Sequence, residues 1–228
     1  MVDHEREETS LPFEGVVIGA DGLPRCWWPG GDPLYLDYHD REWGRPVADE
    51  RRLLEKLCLE GFQAGLSWLT ILRKRDHFRA AFAGFDPAAV ASFDDGDERR
   101  LMADTGIVRN RAKIRATITN ARRYPNLVAE FGSLSAFVWR HEAPADRRPP
   151  RIDHATLLAQ TTSGEARAMS ADLRRRGWAF VGPTTAYSTM EAAGVVNDHL
   201  EGCHVRPLVE RDRAAFVRPM ASLGDNPR

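Results

Sequence analysis

The segment GWAFVGPTTAYSTMEAAGVVNDHLEGC, residues 177–203, decides how this chain is interpreted. Gly177 ends a stretch of helical spacing as a C-cap, and a second helix opens at Thr184-Thr185 and closes at Gly194. The backbone N–H groups at the start of such a helix can face an anion such as phosphate. A core helix preceded by glycine has the same pattern, so this segment alone leaves both interpretations open.

Helical signals also dominate the chain on the N-terminal side of this segment. Asp49 precedes apolar residues at helical spacing, and Asp86-Pro87 places an N-cap before proline at the first helical position. No alternating run of β-branched residues is long enough for a sheet, so we predict an all-α fold. Further helices are predicted over 67–82, 110–124 (stopped by Pro125), 133–139, about 163–177 and 184–193.

The ends of the chain and one internal segment differ in composition from this helical core. Residues 1–23 are polar and glycine-punctuated, which predicts a loosely ordered extension, and residues 207–228 form a charged, proline-bearing tail. Residues 24–206 are predicted to form a single domain with two helical lobes. The proline-rich stretch HEAPADRRPPR, residues 141–151, is the best internal linker between them.

Composition excludes several classes of protein. The chain has 228 residues, 43% of them hydrophobic and 29% charged, with no apolar run long enough for a membrane helix and no signal-peptide core. We therefore expect a cytoplasmic protein that has no membrane partner. Three cysteines do not suggest a disulfide framework.

The net charge of −1 argues mildly against a nucleic-acid partner, but it hides two basic clusters. They can neutralise phosphates, or they can be solvated helix faces, and charge alone favours the second interpretation. The clusters are Arg109, Arg111, Lys113, Arg115, Arg122 and Arg123 in one stretch, and Arg174, Arg175 and Arg176 in the other.

Two Cys/His pairs near opposite ends of the chain suggest a metal site. Cys26 and His39 lie on the N-terminal side of the core, and His199 and Cys203 lie near its end at a spacing that predicts one helical face. Two cysteines and two histidines make a closed, structural zinc site. Chance spacing is the competing explanation, since the first pair matches no common zinc finger; His204 is the main competitor as a ligand.

An aromatic cluster and an acidic residue suggest a pocket for a flat ligand. Trp27, Trp28, Tyr35, Tyr38 and Trp43 fall within 17 residues, in a stretch that is rich in glycine. Aromatic faces stack on nucleic-acid bases, although the same rings can also fill a small core. In CLEGFQAGLSW, residues 58–68, the acidic Glu60 interrupts an apolar stretch. A buried acid of this kind is either paired with another group in the structure or takes part in function.

Taken together, these segments resemble the 3-methyladenine DNA glycosylase I family of the helix-hairpin-helix DNA glycosylase superfamily. The resemblance covers about residues 24–205, and its motifs are long and occur in order. The departures are the N-terminal extension, the linker near 147–151 and the tail. The matching blocks are RCWW (25–28), DPLYLDYHDREWG (32–44), CLEGFQAGLSW (58–68), GIVRNRAKI (106–114) and the segment 177–203.

The resemblance implies a zinc-bearing DNA repair enzyme with a helix-hairpin-helix glycosylase-like fold. The expected activity is hydrolysis of the N-glycosidic bond of 3-methyladenine in alkylated double-stranded DNA, by a monomer that flips the base out of the duplex. Because no lysine is placed to form a covalent sugar intermediate, we expect no lyase step. The implied residues are Glu60 for catalysis; Trp28, Tyr38, Trp43 and Trp68 for base binding; Val181, Gly182, Thr184 and Thr185 for DNA binding; and Cys26, His39, His199 and Cys203 for one structural zinc.

The role of Asp198 and two alternative functions for the chain remain to be considered. In related glycosylases an aspartate after the hairpin helps to activate water, whereas here Asp198 is expected to orient the zinc ligand or to cap a helix. A non-catalytic, zinc-bearing DNA-binding module would share the hairpin and the metal but would not need Glu60. A metallohydrolase is disfavoured by four protein ligands, because catalytic zinc keeps a position for water.

Overall fold

A computed structural model describes residues 13–149 and 151–220 of the chain. It is mostly helical, as predicted. Two short 3₁₀ helices, Ala83–Phe85 and Ala145–Arg147, lie between the α-helices. The eleven α-helices in this described part are α1 Pro33–Arg41, α2 Glu50–Gln63, α3 Trp68–Ala81, α4 Pro87–Ala91, α5 Asp95–Ala103, α6 Arg111–Phe131, α7 Leu134–Trp139, α8 His154–Ala159, α9 Gly164–Arg175, α10 Pro183–Ala192 and α11 Arg206–Ala215.

Side-chain caps set where most of these helices begin. The Asp49 carboxylate accepts from the Arg52 N–H at the start of α2, and Ser67 Oγ accepts from the Thr70 N–H at the start of α3. Each cap satisfies an N–H group that has no acceptor within its helix. The predicted helix starts at Asp49, Ser67 and Asp86 are therefore confirmed.

Helix α2 is the centre of the molecule. Every residue from Leu53 to Phe62 is buried, including three with ionisable side chains, so this part of the helix is enclosed on all sides rather than amphipathic. Helices α3, α6, α7 and α10 pack around it. This enclosure places Glu60 in the interior, facing the cavity described below.

Three predictions about local structure were wrong. Part of the expected loose extension forms a hairpin, with strand β1 (Val16–Ile18) antiparallel to β2 (Pro24–Cys26). Helix α11 lies mostly within the predicted tail, for which the sequence analysis gave no secondary structure. Residues 1–12 and 221–228 lie outside the described part. Helix α6 continues through Pro125 because one missing N–H is outweighed by burial of Leu127 and Phe131. Residues 199–203 form turns and irregular backbone, not a helix, as the positive φ of Gly202 requires.

Gly194 joins α10 to the segment that follows and leaves no room for a side chain. Its φ is +72°, and an added Cβ would lie 2.4 Å from the carbonyl carbon of Arg45. We expect Gly194→Ala to lower the free energy of unfolding by at least about 2 kcal/mol, measured by denaturant titration. The matched control is Gly164→Ala in the first turn of α9, where nothing lies within 4 Å. Equal stability of the two variants would contradict the tight contact at Gly194.

Candidate active site and metal centre

A cavity of about 310 Å³ opens between α1, α2, α3, α8 and α10. Six of the side chains that line it are aromatic, two are acidic, and none is basic. All five residues implied for catalysis and base binding lie in this wall. The lining residues are Trp27, Trp28, Tyr35, Tyr38, Trp43, Glu60, Gln63, Trp68, Leu157, Leu158, Gln160, Ser188 and Glu191.

The aromatic rings pack against one another and form a continuous wall. The ring of Trp28 lies 4.9 Å from Tyr35 and 5.0 Å from Trp43, and Tyr38 lies 5.4 Å from Trp68, between ring centroids. The indole Nε1 of Trp68 is buried and has no hydrogen-bond partner among the described residues. Such a wall can hold a flat ring by stacking, and it can hold a cation by the negative faces of the rings.

Glu60 projects from α2 into this wall and is only 6% exposed. Among the described residues, none donates a hydrogen bond to its carboxyl group. Burial raises the pKa of Glu60 to about 8, an effect that the positive charge of Lys56 opposes. Lys56 itself donates to Glu42, at 2.8 Å, so its charge is already paired. The Glu60 carboxyl group is therefore available for a ligand.

The two tyrosines of α1 that line the cavity are neutral phenols at physiological pH. Burial first, and the charge of Glu60 second, raise the pKa of Tyr35 to about 12. The same two causes raise the pKa of Tyr38 well above its usual value. Both residues can therefore donate hydrogen bonds to a ligand in the cavity.

The four predicted metal ligands come together in one buried cluster. Cys26, His39, His199 and Cys203 are each at most 2% exposed, and their ligand atoms all lie within 4.8 Å of one another. His39 Nε2 is 3.2 Å from His199 Nδ1 and 3.7 Å from Cys203 Sγ, and His199 Nδ1 is 3.9 Å from Cys26 Sγ. A tetrahedral zinc ion gives edges of about 3.3–3.8 Å between such ligands. The donor set suits zinc, and the three quoted distances lie close to these edges.

A second layer of contacts orients both histidines toward the cluster. His39 Nδ1 lies 2.8 Å from Asp40 Oδ1, and His199 Nε2 lies 3.1 Å from the Trp43 carbonyl oxygen. Each contact takes up one ring nitrogen, which leaves His39 Nε2 and His199 Nδ1 as the ligand atoms. Hydrogen bonding, from Cys26 first and then from both histidines, lowers the pKa of the Cys203 thiol well below its usual range. This favours the thiolate form of Cys203, whereas the contact with Cys203 and burial raise the pKa of the Cys26 thiol well above its usual range.

The metal cluster and the cavity share part of their walls. The Trp43 ring lies 4.7 Å from the His199 ring and 6.5 Å from the His39 ring, while Trp28 lies 5.1 Å from His39, between centroids. Trp28 and Trp43 therefore pack against the candidate metal ligands on one side and line the cavity on the other.

The predicted DNA-binding hairpin corresponds to α9, the connection 176–182 and α10, and the two helices pack on each other. Thr184 is exposed and Gly182 and Thr185 are partly exposed at the start of α10, whereas Val181 is only 2% exposed. The Val181 carbonyl oxygen accepts from Ser170 Oγ at 2.6 Å. A side-chain contact from Val181 to DNA is therefore excluded in this conformation.

No described helix is long and apolar enough to cross a membrane.

Four of the six basic residues in the first cluster are engaged within the protein. Arg111 and Arg115 pair with Glu98, and Lys113 donates to the carbonyl oxygens of Phe62 and Ala64, at 2.8 and 2.6 Å. Arg122 donates to the carbonyl oxygens of Ala91 and Phe93. In the second cluster, Arg175 and Arg176 pair with acidic side chains. The clusters therefore do not form two free cationic patches.

Asp198 is buried beside the metal cluster but neither caps a helix nor lines the cavity. Its carboxylate accepts from the Tyr187 hydroxyl at 2.5 Å and pairs with Arg148 of the predicted linker. Among the described residues it makes no hydrogen bond to the ring of His199. The predicted role in orienting the zinc ligand is thus not supported by a direct contact.

Sequence reasoning missed several residues of the cavity wall. Gln63 lies three residues after Glu60 on α2, and Ser188 and Glu191 lie three residues apart on α10. The three-residue spacing was visible, but only the packing of α10 on α2 shows that both helices face one space. Gln160, after α8, donates to the Tyr187 hydroxyl at 2.6 Å and reaches the same wall.

Comparisons with known proteins show the family of this chain. Residues 28–206 match the model of the methyladenine glycosylase family. The chain is 45% identical to DNA-3-methyladenine glycosylase 1 of Escherichia coli (strain K12) over 187 residues, covering 81% of this chain and 98% of that protein. It is 41% identical to DNA-3-methyladenine glycosylase of Haemophilus influenzae over 180 residues, covering 78% and 96%.

Solved structures show the same relationship. A crystal structure of 3-methyladenine DNA glycosylase I superimposes with a TM-score of 0.73 at 44% identity, covering 80% of this chain and all of that one. The Staphylococcus aureus enzyme, solved to explain 3-methyladenine recognition, superimposes with a TM-score of 0.74 at 38% identity, covering 80% and 96%.

Proposed function

Because this chain belongs to the methyladenine glycosylase family, whose members cleave N-glycosidic bonds, we propose that it removes 3-methyladenine from alkylated double-stranded DNA. The observation that carries the proposal is the cavity wall, in which six aromatic side chains surround a buried carboxyl group and no basic side chain occurs. The Escherichia coli and Haemophilus influenzae relatives are named for activity on this base.

The cavity suits a flat cation. Methylation at N3 of adenine within DNA leaves a positive charge on the base, whereas normal adenine is neutral. Stacked rings attract the cation through their faces, and the Glu60 carboxyl group can accept hydrogen bonds from its N–H groups. Since burial raises the pKa of Glu60 to about 8, a bound cation lowers that pKa and draws the carboxylate form into the site. Neutral adenine gains less binding free energy from these contacts.

The reaction is hydrolysis of the bond between the base and the sugar. The cationic base is a good leaving group, and it takes the electron pair of the breaking bond and departs as the neutral free base. A water oxygen bonds to the sugar carbon C1′, and one proton is released. The protein contributes binding and electrostatic stabilisation to this step, chiefly through Glu60 and the aromatic wall.

We propose base flipping because the cavity holds Glu60 at only 6% exposure, beyond the reach of a base that is still stacked in a duplex. The exposed start of α10 at Thr184 and Thr185 would bind a phosphate of the backbone through helix N–H groups. Ser188, one turn later on α10, lines the cavity, so this helix would connect the phosphate contact to the base pocket.

We also propose that the Cys26, His39, His199 and Cys203 cluster holds one zinc ion with a structural role. The cluster joins the β-hairpin and α1 to the segment after α10, and four protein ligands leave no position for water. The enzyme would be monofunctional, since no lysine lines the cavity among the described residues. The monomeric state and the cytoplasmic location stay predictions from the sequence.

The test is identification of the bases released from duplex DNA treated with a methylating agent. We expect mass spectrometry to find free 3-methyladenine, with the DNA strand uncut and no covalent adduct after borohydride treatment. Binding of duplex DNA without release of any base would support a non-catalytic DNA-binding module instead. A strand break at the site of release would overturn the monofunctional assignment.

A further inference from the structure

The base cavity contains a second acidic side chain, Glu191, that the resemblance does not assign. Glu191 lies at the end of α10, one turn after Ser188, and both residues line the cavity that Glu60 enters from α2. The backbone at this point is fixed, because the Glu191 carbonyl oxygen accepts from Gly44 N at 3.2 Å and from Gly194 N at 3.1 Å. Its side chain lines the ligand space from this fixed backbone, and its carboxyl group also contacts that of Asp198.

No basic group within the described residues neutralises the two acids from the cavity wall. The cations whose charges act on these two acids are Lys56 and Arg148, and they donate to Glu42 and Asp198, respectively. A pocket with two carboxyl groups and no basic side chain is complemented by a ligand that brings a positive charge. A ligand chosen only for its shape would not need the second acid.

The charged groups around Glu191 determine how its proton is held. Burial first, then the charges of Asp198 and Glu60 and a side-chain contact with Asp198, raise the pKa of Glu191 well above its usual value, and Arg148 opposes them. Two carboxyl groups that share a low-dielectric space do not ionise independently. Both carboxyl groups therefore hold their protons more tightly than an exposed acid does, and a cationic ligand can displace a proton from either.

We infer that Glu191 is a second base-binding residue, and that together with Glu60 it makes the pocket select purine cations by charge. This inference rests on the proposed function, since it names a specificity residue of the same site. The ligand class is a purine with a fixed positive charge on the ring, as N-alkylation produces.

The experiment uses two small probes that differ in charge. The permanently cationic 3,9-dimethyladeninium carries a methyl group in place of the sugar carbon, and 9-methyladenine is its neutral counterpart. Binding to the full-length protein is measured by calorimetry at pH 6, 7 and 8, in buffers of different ionisation enthalpy, which counts the protons released. The variants are Glu191→Gln, which removes the charge at constant size, and Glu191→Asp, which keeps it. Glu130→Gln on α6, an exposed acid paired with Arg176, is the control for net charge.

We expect Glu191→Gln to weaken binding of 3,9-dimethyladeninium about tenfold, to leave 9-methyladenine unchanged and to reduce the number of protons released. Glu191→Asp should keep most of the discrimination, and Glu130→Gln should match the wild type. Equal affinity and equal proton release in Glu191→Gln and the wild type would overturn the inference, even if 3-methyladenine is still released from DNA. If the wild type neither releases that base nor binds the cation, the proposed function itself fails.

Discussion

Replacing Glu60 with glutamine is expected to lower the rate of 3-methyladenine release at least about 100-fold while making the protein more stable. The rate falls because glutamine keeps the size of the side chain but removes the charge that stabilises the cationic base as its bond breaks. It is measured as single-turnover release from alkylated duplex DNA. Binding of undamaged duplex should change little, since Glu60 is buried inside the cavity and away from the DNA surface.

The gain in stability follows from the pKa of Glu60, which is raised from 4.5 to about 8 in the folded protein. Between these values the unfolded chain loses the proton while the folded chain keeps it, so the wild type loses stability as pH rises through this window. Above about pH 8 both states are ionised and the loss is complete. Glutamine does not titrate, so we expect Glu60→Gln to raise the free energy of unfolding at pH 8 by about 2–4 kcal/mol.

The control for this prediction is Glu55→Gln on the same helix. Glu55 is also buried, but it pairs with Arg79 at 2.8 Å and does not line the cavity. Its replacement should reduce stability and leave base release unchanged, the reverse of the pattern for Glu60. A Glu60→Gln variant with the wild-type rate would show that the cavity is not the catalytic site.

The sequence was sufficient to predict the helix starts, because these depend only on neighbouring residues. Asp49, Ser67 and Asp86 cap helices because each offers a side-chain oxygen to a nearby N–H group, which is readable from a few residues. The residues of the metal cluster were predicted through the family resemblance, because the spacing of cysteine and histidine alone left chance as the competing explanation. The geometry given for its second pair was wrong, because spacing of four also occurs in a turn that a positive-φ glycine permits.

Features that depend on packing over long distances could not be predicted in this way. Helix α6 continues past Pro125 because residues after the proline pack into the core, and no nearby sequence feature predicts that packing. Glu191 reads as an ordinary helical acid until α10 is placed against α2 across the cavity. The basic residues likewise cannot be counted as free cationic patches, because Arg115 pairs with Glu98 and Lys113 donates to the Phe62 carbonyl oxygen of α2.

The cluster of Cys26, His39, His199 and Cys203 gives the second large prediction. We expect the purified protein to hold one zinc ion per chain, and we expect Cys203→Ala to lose it together with at least about 4 kcal/mol of stability. Cys26 and His199 are 173 residues apart in the sequence, so a metal ion bound by both closes a long loop of the unfolded chain. The readouts are metal content by mass spectrometry and the thermal unfolding midpoint.

Cys58→Ala is the matched control, because Cys58 is equally buried but belongs to the main core and not to the cluster. It should keep the full zinc content and lose less stability than Cys203→Ala. The shared wall adds a functional readout: with Trp43 packed on His199 and Trp28 on His39, loss of metal should weaken binding of 3-methyladenine before the helical core unfolds. If Cys203→Ala retains zinc and stability at the level of Cys58→Ala, the cluster is an ordinary buried contact between cysteines and histidines.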